Sequence, residues 1–254
     1  MGLENLIVVD YGTSTSTVRV FKNNSSTNPI ADPNNKNRCL SMVAVSKESI
    51  EYASASKYTS SNKVLLKSTK RLLGKIRKEL NDNMLREELY GAPVMFDEED
   101  RPYFHCNIGT EKNPEYHDVY PEEVFGVILK HMKERATKFT EKEMKYCCFT
   151  VPHFTTDRAR RLMRQEAKKL KLECSFMMKE PTAAGIPFLI PENDNDNKAV
   201  EVVKEGETVF IFDFGGGTLD ITIMRREGNT YKVIGTGGDS NLGGNDTGLI
   251  FFLH

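Results

Sequence analysis

The chain has 254 residues, 39% of them hydrophobic, enough for one large domain or two lobes with a sizeable core and too much for a disordered polymer. Lys and Arg total 35 against 36 Asp and Glu, a net charge of -1 that argues against nucleic acid or an acidic membrane as the main partner but allows a small polyanion. The longest apolar runs, such as Leu6 to Val9 and Val209 to Phe212, fall far short of the roughly 20 residues a membrane helix needs, so no span and no membrane partner are expected.

No cationic segment followed by a long apolar stretch opens the sequence, and Leu6 occupies the position where a myristoylation signal wants Ser or Thr. A cytoplasmic location is expected. The five cysteines, Cys39, Cys106, Cys147, Cys148 and Cys174, show no CxxC spacing and sit mostly in apolar strand-like stretches, which reads as reduced structural thiols.

In chain order, residues 5–22 read as strand, turn, strand: LIVVD is an apolar run, YGTST supplies the turn and STVRVF alternates as a half-buried strand does. From Asn23 to Asn37 the composition of Asn, Ser, Thr and Pro predicts an exposed loop. A mixed region at about 39–118 reads as an inserted subdomain, with strands at Met42 to Val45, Pro93 to Phe96 and Tyr103 to Asn107 and a basic helix at Val64 to Lys78. Pro121, Glu122 and Glu123 start a helix whose apolar positions are Phe125, Ile128, Leu129 and Met132, and a strand from Tyr146 to Val151 follows.

Thr155, Thr156 and Asp157 cap a second helix with the stripe Ala159, Leu162, Met163, Ala167 and Leu170. Its other face is basic (Arg158, Arg160, Arg161, Arg164, Lys168, Lys169), but no aromatic platform is interleaved, so it reads as a solvated face and not a nucleic-acid site. A strand from Glu173 to Lys179 leads into EPTAAGIPF, and the acidic, aperiodic stretch Pro191 to Gly206 marks a lobe boundary between 1–192 and 193–254. The final part is again strand (ETVFIFD), turn (FGGGT), strand (LDITIM), with a further arm from Tyr231 to Gly235; TGGDSNLGGND, Thr236 to Asp246, reads by itself as an ordinary loop.

The two hairpins share one design. Placing Asp10 on Asp213 puts Tyr11 on Phe214, Gly12 on Gly215, Thr15 on Thr218, Val18 on Ile221 and Val20 on Ile223. Such similarity suggests two related halves facing each other across a cleft. Glycines let backbone N–H groups approach an anion closely, and the hydroxyls of Thr13, Thr15 and Thr218 add donors, so the turns suit phosphates. An aspartate ending each preceding strand gathers carboxylates at a cost that a cation offsets, and Mg2+ with most of its waters meets that need. A single DxG or GGG is commonly no more than a hairpin turn; the second matching copy is what points to a site.

Taken together, DYGTSTSTVRVF, STKRLLG, VPHFTTDRAR, MMKEPTAAGIPF, IFDFGGGTLDITIM and GGDSNLGGND resemble, in order and spacing, the ATPase domain of the heat-shock protein 70 chaperones. The resemblance implies an α/β actin-like ATPase fold of duplicated, ribonuclease H-like lobes, the first complete and the second truncated. It implies ATP or ADP and Mg2+ as ligands. Asp10 and Asp213 would orient hydrated Mg2+, with Asp220 completing the carboxylate set. Gly12, Thr13, Ser14, Thr15, Gly215, Gly216, Gly217 and Thr218 would contact phosphates, and Gly243 and Gly244 would line the far wall. Lys70 and Glu180 would position the attacking water and the γ-phosphate, while Pro152 and Arg160 match the family's coupling switch.

The same resemblance implies slow ATP hydrolysis and a J-domain co-chaperone or a nucleotide-exchange factor as partner, with binding to such a partner without turnover as the alternative. Thr15, Gly185, Pro187 and Asn245 depart from the family's pattern. The adenosine pocket and the peptide-binding domain are expected to lie in parts of the family that this chain does not match.

Overall fold

An apolar run that ends on a carboxylate opens the fold: β1 (Leu6–Asp10) pairs antiparallel with β2 (Thr15–Lys22), Ile7 opposite Val20 and Asp10 opposite Thr17. The computed structural model describes residues 3–22, 25–30, 38–54, 63–186 and 203–246. Within these, the short β3 (Ser25–Ser26) and β4 (Cys39–Leu40) both pair with β2. Most of the loop expected at Asn23 to Asn37, and the lobe boundary expected at 192/193, lie outside the described residues.

β5 (Val43–Val45) is flanked by β6 (Ile50–Tyr52) and β7 (Val64–Leu66) in a three-stranded antiparallel sheet. The basic helix expected at Val64 to Lys78 is not formed. The segment is β7 followed by two separate 3-10 turns, Thr69–Leu72 and Arg77–Glu79. Two backbone positions explain the break: Ser68 has φ 55 and Gly74 has φ 70, and a helix passes through neither. Gly74 is held in place from outside, because a Cβ there would lie 2.6 Å from the Ala159 Cα and the Arg158 guanidinium donates to its carbonyl at 2.9 Å.

A short helix, α1 (Glu87–Tyr90), precedes β8 (Val94–Phe96), β9 (Pro102–Asn107) and β10 (Tyr116–Val119), which pair in the order β10-β9-β8. α2 (Pro121–Thr140) begins as its sequence predicts, with Pro121 in the first turn and the Glu123 carboxylate accepting from the Tyr120 N–H at 2.8 Å. Val124, Phe125, Ile128, Leu129, Met132 and Ala136 make its buried face. β11 (Tyr146–Val151) and β12 (Glu173–Lys179) flank α3 (Asp157–Lys169), whose Thr156 hydroxyl accepts from Ala159 N–H at 3.2 Å as an N-cap. The main sheet runs β12-β11-β1-β2-β3, with β4 also on β2.

α4 (Glu180–Gly185) packs against β13 (Thr208–Phe214) and β14 (Leu219–Glu227), and β15 (Thr230–Asp239) completes a sheet in the order β13-β14-β15. β15 runs through Thr236–Asp239, so the opening residues of the expected Thr236 to Asp246 loop are strand. The chain divides into two units: Met1–Phe149 with Thr155–Met177, and Thr150–Phe154 with Met178–His254. Among the described residues no helix is long and apolar enough to cross a membrane.

The two hairpins repeat in register. Asp10 faces Thr17 and Asp213 faces Asp220; Ile7 faces Val20 and Phe210 faces Ile223, the same offsets throughout. Their surroundings differ. Ile7, Val9 and Tyr11 are 0%, 1% and 1% exposed, whereas the equivalent Phe210, Phe212 and Phe214 are 61%, 59% and 44% exposed.

Tyr11 is the pivot of the first unit's core. Its ring meets Phe125 edge-on at 4.9 Å, Phe125 meets Phe149 at 5.5 Å, and its hydroxyl shares a 3.3 Å hydrogen bond with the Thr69 hydroxyl. Burial pushes the phenol from 10.0 up to about 12, the Thr69 bond pulling slightly the other way. Below pH 10.0 the phenol is protonated in both the folded and unfolded chain and adds no slope; between 10.0 and about 12 only the unfolded chain ionises. Stability is therefore expected to fall by roughly 2–3 kcal/mol across that window. Tyr11→Phe should flatten that part of the profile, measured by denaturant unfolding at stepped alkaline pH.

Candidate functional site

In the first hairpin, Asp10 is exposed at the end of β1 and the chain turns tightly through Gly12, where a Cβ would strike the Thr15 carbonyl oxygen. Ser41 braces this turn from behind. Its hydroxyl donates to the Gly12 carbonyl at 2.7 Å and its N–H donates to the Ser14 carbonyl at 2.9 Å. Thr13 is buried, while Ser14 and Thr15 are half-buried. The Tyr11–Thr69 bond places the Thr69–Leu72 turn beside the hairpin, and the Lys70 ammonium lies 6.0 Å from the Tyr11 ring centroid. Lys70 thus joins the first turn although it lies on a 3-10 turn and not on the helix expected there.

In the second hairpin, β13 and β14 place Asp213 directly across from Asp220. Residues directly opposite in an antiparallel pair project from the same face, so two carboxylates share one side of the sheet, an arrangement that costs energy unless charge is offset. Gly215 N–H donates to the Thr218 carbonyl at 2.9 Å and closes the turn that holds Gly216 and Gly217.

The later glycine cluster packs on this turn. Gly244 N–H donates to the Gly215 carbonyl and Asn245 N–H to the Gly216 carbonyl, both at 2.9 Å. A Cβ on Gly243 would sit inside contact distance of the Gly217 nitrogen and 2.6 Å from the Gly216 carbonyl carbon. Gly243 and Gly244 therefore meet Gly215, Gly216 and Gly217 backbone to backbone. The reading of Thr236 to Asp246 as an ordinary loop gives way to a strand followed by a turn fitted against the second hairpin.

Asp220 is 1% exposed. Its Oδ1 accepts from His153 Nδ1 at 2.6 Å and from the His153 backbone N–H at 3.3 Å. Its Oδ2 and the nearby Thr222 hydroxyl are buried with no hydrogen-bond partner. Sequence reasoning did not single out His153, and no spacing rule finds it, because the two residues are 67 positions apart. Glu180 opens α4 beside the buried Pro181, and Gly185 ends that helix where the Met224 methyl group packs. Among the described residues no three His, Cys, Asp or Glu side chains converge as a direct metal-ligand cluster.

In the first unit the structure thus gathers Asp10, Gly12, Thr13, Ser14, Thr15 and Lys70. In the second it gathers Asp213, Gly215, Gly216, Gly217, Thr218, Asp220, Gly243 and Gly244 around one hairpin, with Glu180 on the helix packed against it.

Paired hairpins of this design, each ending on an aspartate before a glycine turn, belong to the actin-like ATPase fold. The sequence matches the family model described as Hsp70 protein over residues 6–252, and the chain belongs to that family. It is similar to the "Chaperone protein DnaK" of Metamycoplasma hominis, 29% identical over 247 residues that make up 97% of this chain and 34% of the relative. The chain spans about a third of the length of that curated relative.

Gly243→Ala is expected to cost about 1–3 kcal/mol, because backbone atoms on the facing turn have no side chain to move aside. Gly237→Ala, where an added Cβ meets nothing within 4 Å, should change stability little. Urea unfolding of the two variants makes the comparison.

Proposed function

We propose that the chain binds the phosphates of ATP or ADP together with Mg2+ and hydrolyses ATP slowly, as a member of a chaperone ATPase family. The observation that carries this reading is the cross-strand pair Asp213 and Asp220, with Asp220 Oδ2 buried and unpartnered beside a turn of three glycines. The donor set fits Mg2+, which takes hard carboxylate oxygens and keeps most of its waters. Asp10, Asp213 and Asp220 would hold it through those waters. When bound, the ion neutralises charge on the phosphate oxygens and orients them.

The chain's own groups do the rest. Backbone N–H groups of Gly12, Gly216 and Gly217 offer donors to phosphate oxygens without an intervening side chain, while Gly215, whose own N–H closes the turn on Thr218, keeps the backbone open to the ligand. The hydroxyls of Thr13, Ser14, Thr15 and Thr218 extend the donor set, and Gly243 and Gly244 line the far wall. Lys70 supplies a positive charge to the γ-phosphate, and Lys70 and Glu180 together position that group and the attacking water. Phosphoryl transfer to water asks chiefly for positioning and charge stabilisation, so no covalent nucleophile is required.

On this reading residues 1–192 form the first lobe, with about 39–118 inserted, and 193–254 belong to the second. A J-domain co-chaperone or a nucleotide-exchange factor is the expected protein partner. Titration calorimetry with ATP, ADP and Mg2+ tests the proposal: heat of binding and a raised melting temperature are expected, and millimolar nucleotide that produces neither would refute it. Asp213→Asn should weaken Mg2+-dependent affinity by roughly tenfold or more. Lys70→Ala should lower turnover by roughly 100-fold while leaving affinity nearly unchanged.

A further inference from the structure

Cys147 in β11 and Cys174 in β12 lie on neighbouring strands of the main sheet, aligned where the Glu173 N–H donates to the Lys145 carbonyl at 2.8 Å, and the Cys174 thiol donates to the Phe176 carbonyl at 3.8 Å. Both are free thiols; Cys147 is buried and Cys174 is half-buried. Cys174 lines an open cleft of ≈ 660 Å³, along which four cations, Lys145, Arg164, Lys168 and Lys171, outnumber the two carboxylates Glu143 and Glu173. The neighbouring Cys147 thiol, with the Arg164 guanidinium assisting against burial, holds the Cys174 thiol below its ordinary value. Proximity to Cys174 and burial push Cys147 up. One sulfur is thus reachable and disposed to ionise, and the other waits behind it.

We propose that Cys174 and Cys147 form a peroxide-responsive dithiol, Cys174 meeting the oxidant at the cleft and Cys147 resolving the product into a disulfide. The Cys174 thiolate attacks the distal oxygen of a hydroperoxide. An S–O bond forms as the O–O bond breaks, and the departing alkoxide or hydroxide takes a proton and leaves as alcohol or water, giving Cys174 sulfenic acid. Cys147 then loses its proton and attacks the Cys174 sulfur. The S–S bond forms, the S–O bond breaks, and hydroxide leaves with that proton as water. Overall, two thiols and one hydroperoxide become one disulfide, one alcohol (or water) and one further water, and a dithiol reductant reverses the change.

Cys148, the next residue of β11, projects to the opposite side of the strand by its two-residue period, so it is not the resolving thiol. This assignment does not depend on nucleotide binding and stands or falls separately from it.

The test is peptide mapping of the intact protein after brief exposure to hydrogen peroxide near stoichiometry, with free thiols alkylated before digestion. A single disulfide joining the peptides of Cys147 and Cys174, regained as thiols with dithiothreitol, is expected. In Cys147→Ala, a dimedone adduct should accumulate on Cys174. Arg164→Gln should slow alkylation of Cys174 by roughly threefold to tenfold, through a lower thiolate fraction. A bridge from Cys174 to Cys148, oxidation that begins at another cysteine, or five thiols untouched by peroxide while the protein stays folded would each overturn the proposal.

Discussion

The pairing register of the two hairpins governs where everything else can stand. Side chains alternate along a strand, so a slip of one residue between β13 and β14 would send Asp213 and the phenylalanines each to the other's face. The register that sets Asp213 opposite Asp220 brings two acidic groups to one side, and the one that sets Asp10 opposite Thr17 leaves a single acid there. The copies therefore share a backbone plan and differ in charge. The second hairpin holds one of its acids in a dry environment, tied to His153 through one oxygen only.

Around that register, close backbone approach does the positioning. Gly216 and Gly217 accept Gly243 at distances no side chain would permit, and the two hydrogen bonds from Gly244 and Asn245 stitch a segment some thirty residues away to the turn. In the first unit the comparable bracing comes from one serine: the Ser41 hydroxyl reaches Gly12 and its backbone N–H reaches Ser14. Glycine contact in one case and a serine clamp in the other give the same outcome, a turn fixed before any ligand arrives.

Periodicity made much of this legible. The strands of both hairpins, α2, β11, α3 and β12 follow from alternation, helical spacing, capping residues and the Pro-Glu-Glu start. The chemistry of the turns could be read from residue type, and the duplication from matched spacing. Two kinds of fact stayed hidden. Left-handed backbone at Ser68 and Gly74 overrode the helical look of Val64 to Lys78, and at Gly74 it is α3, far along the chain, that packs against the backbone. Long-range pairs such as His153 with Asp220 and Cys147 with Cys174 have no signature in spacing at all, since only the folded topology brings them together.

The duplicated strand also carries a contrast in wetting. The face formed by Ile7, Val9 and Tyr11 is sealed, whereas its counterpart shows three aromatic rings to solvent on β13, which among the described residues pairs only with β14. A bare aromatic row on an edge strand joins two sources of stickiness in one place, apolar area and a line of backbone donors and acceptors. Phe210, Phe212 and Phe214 accordingly make β13 a place where salting-out and adsorption to hydrophobic media would begin.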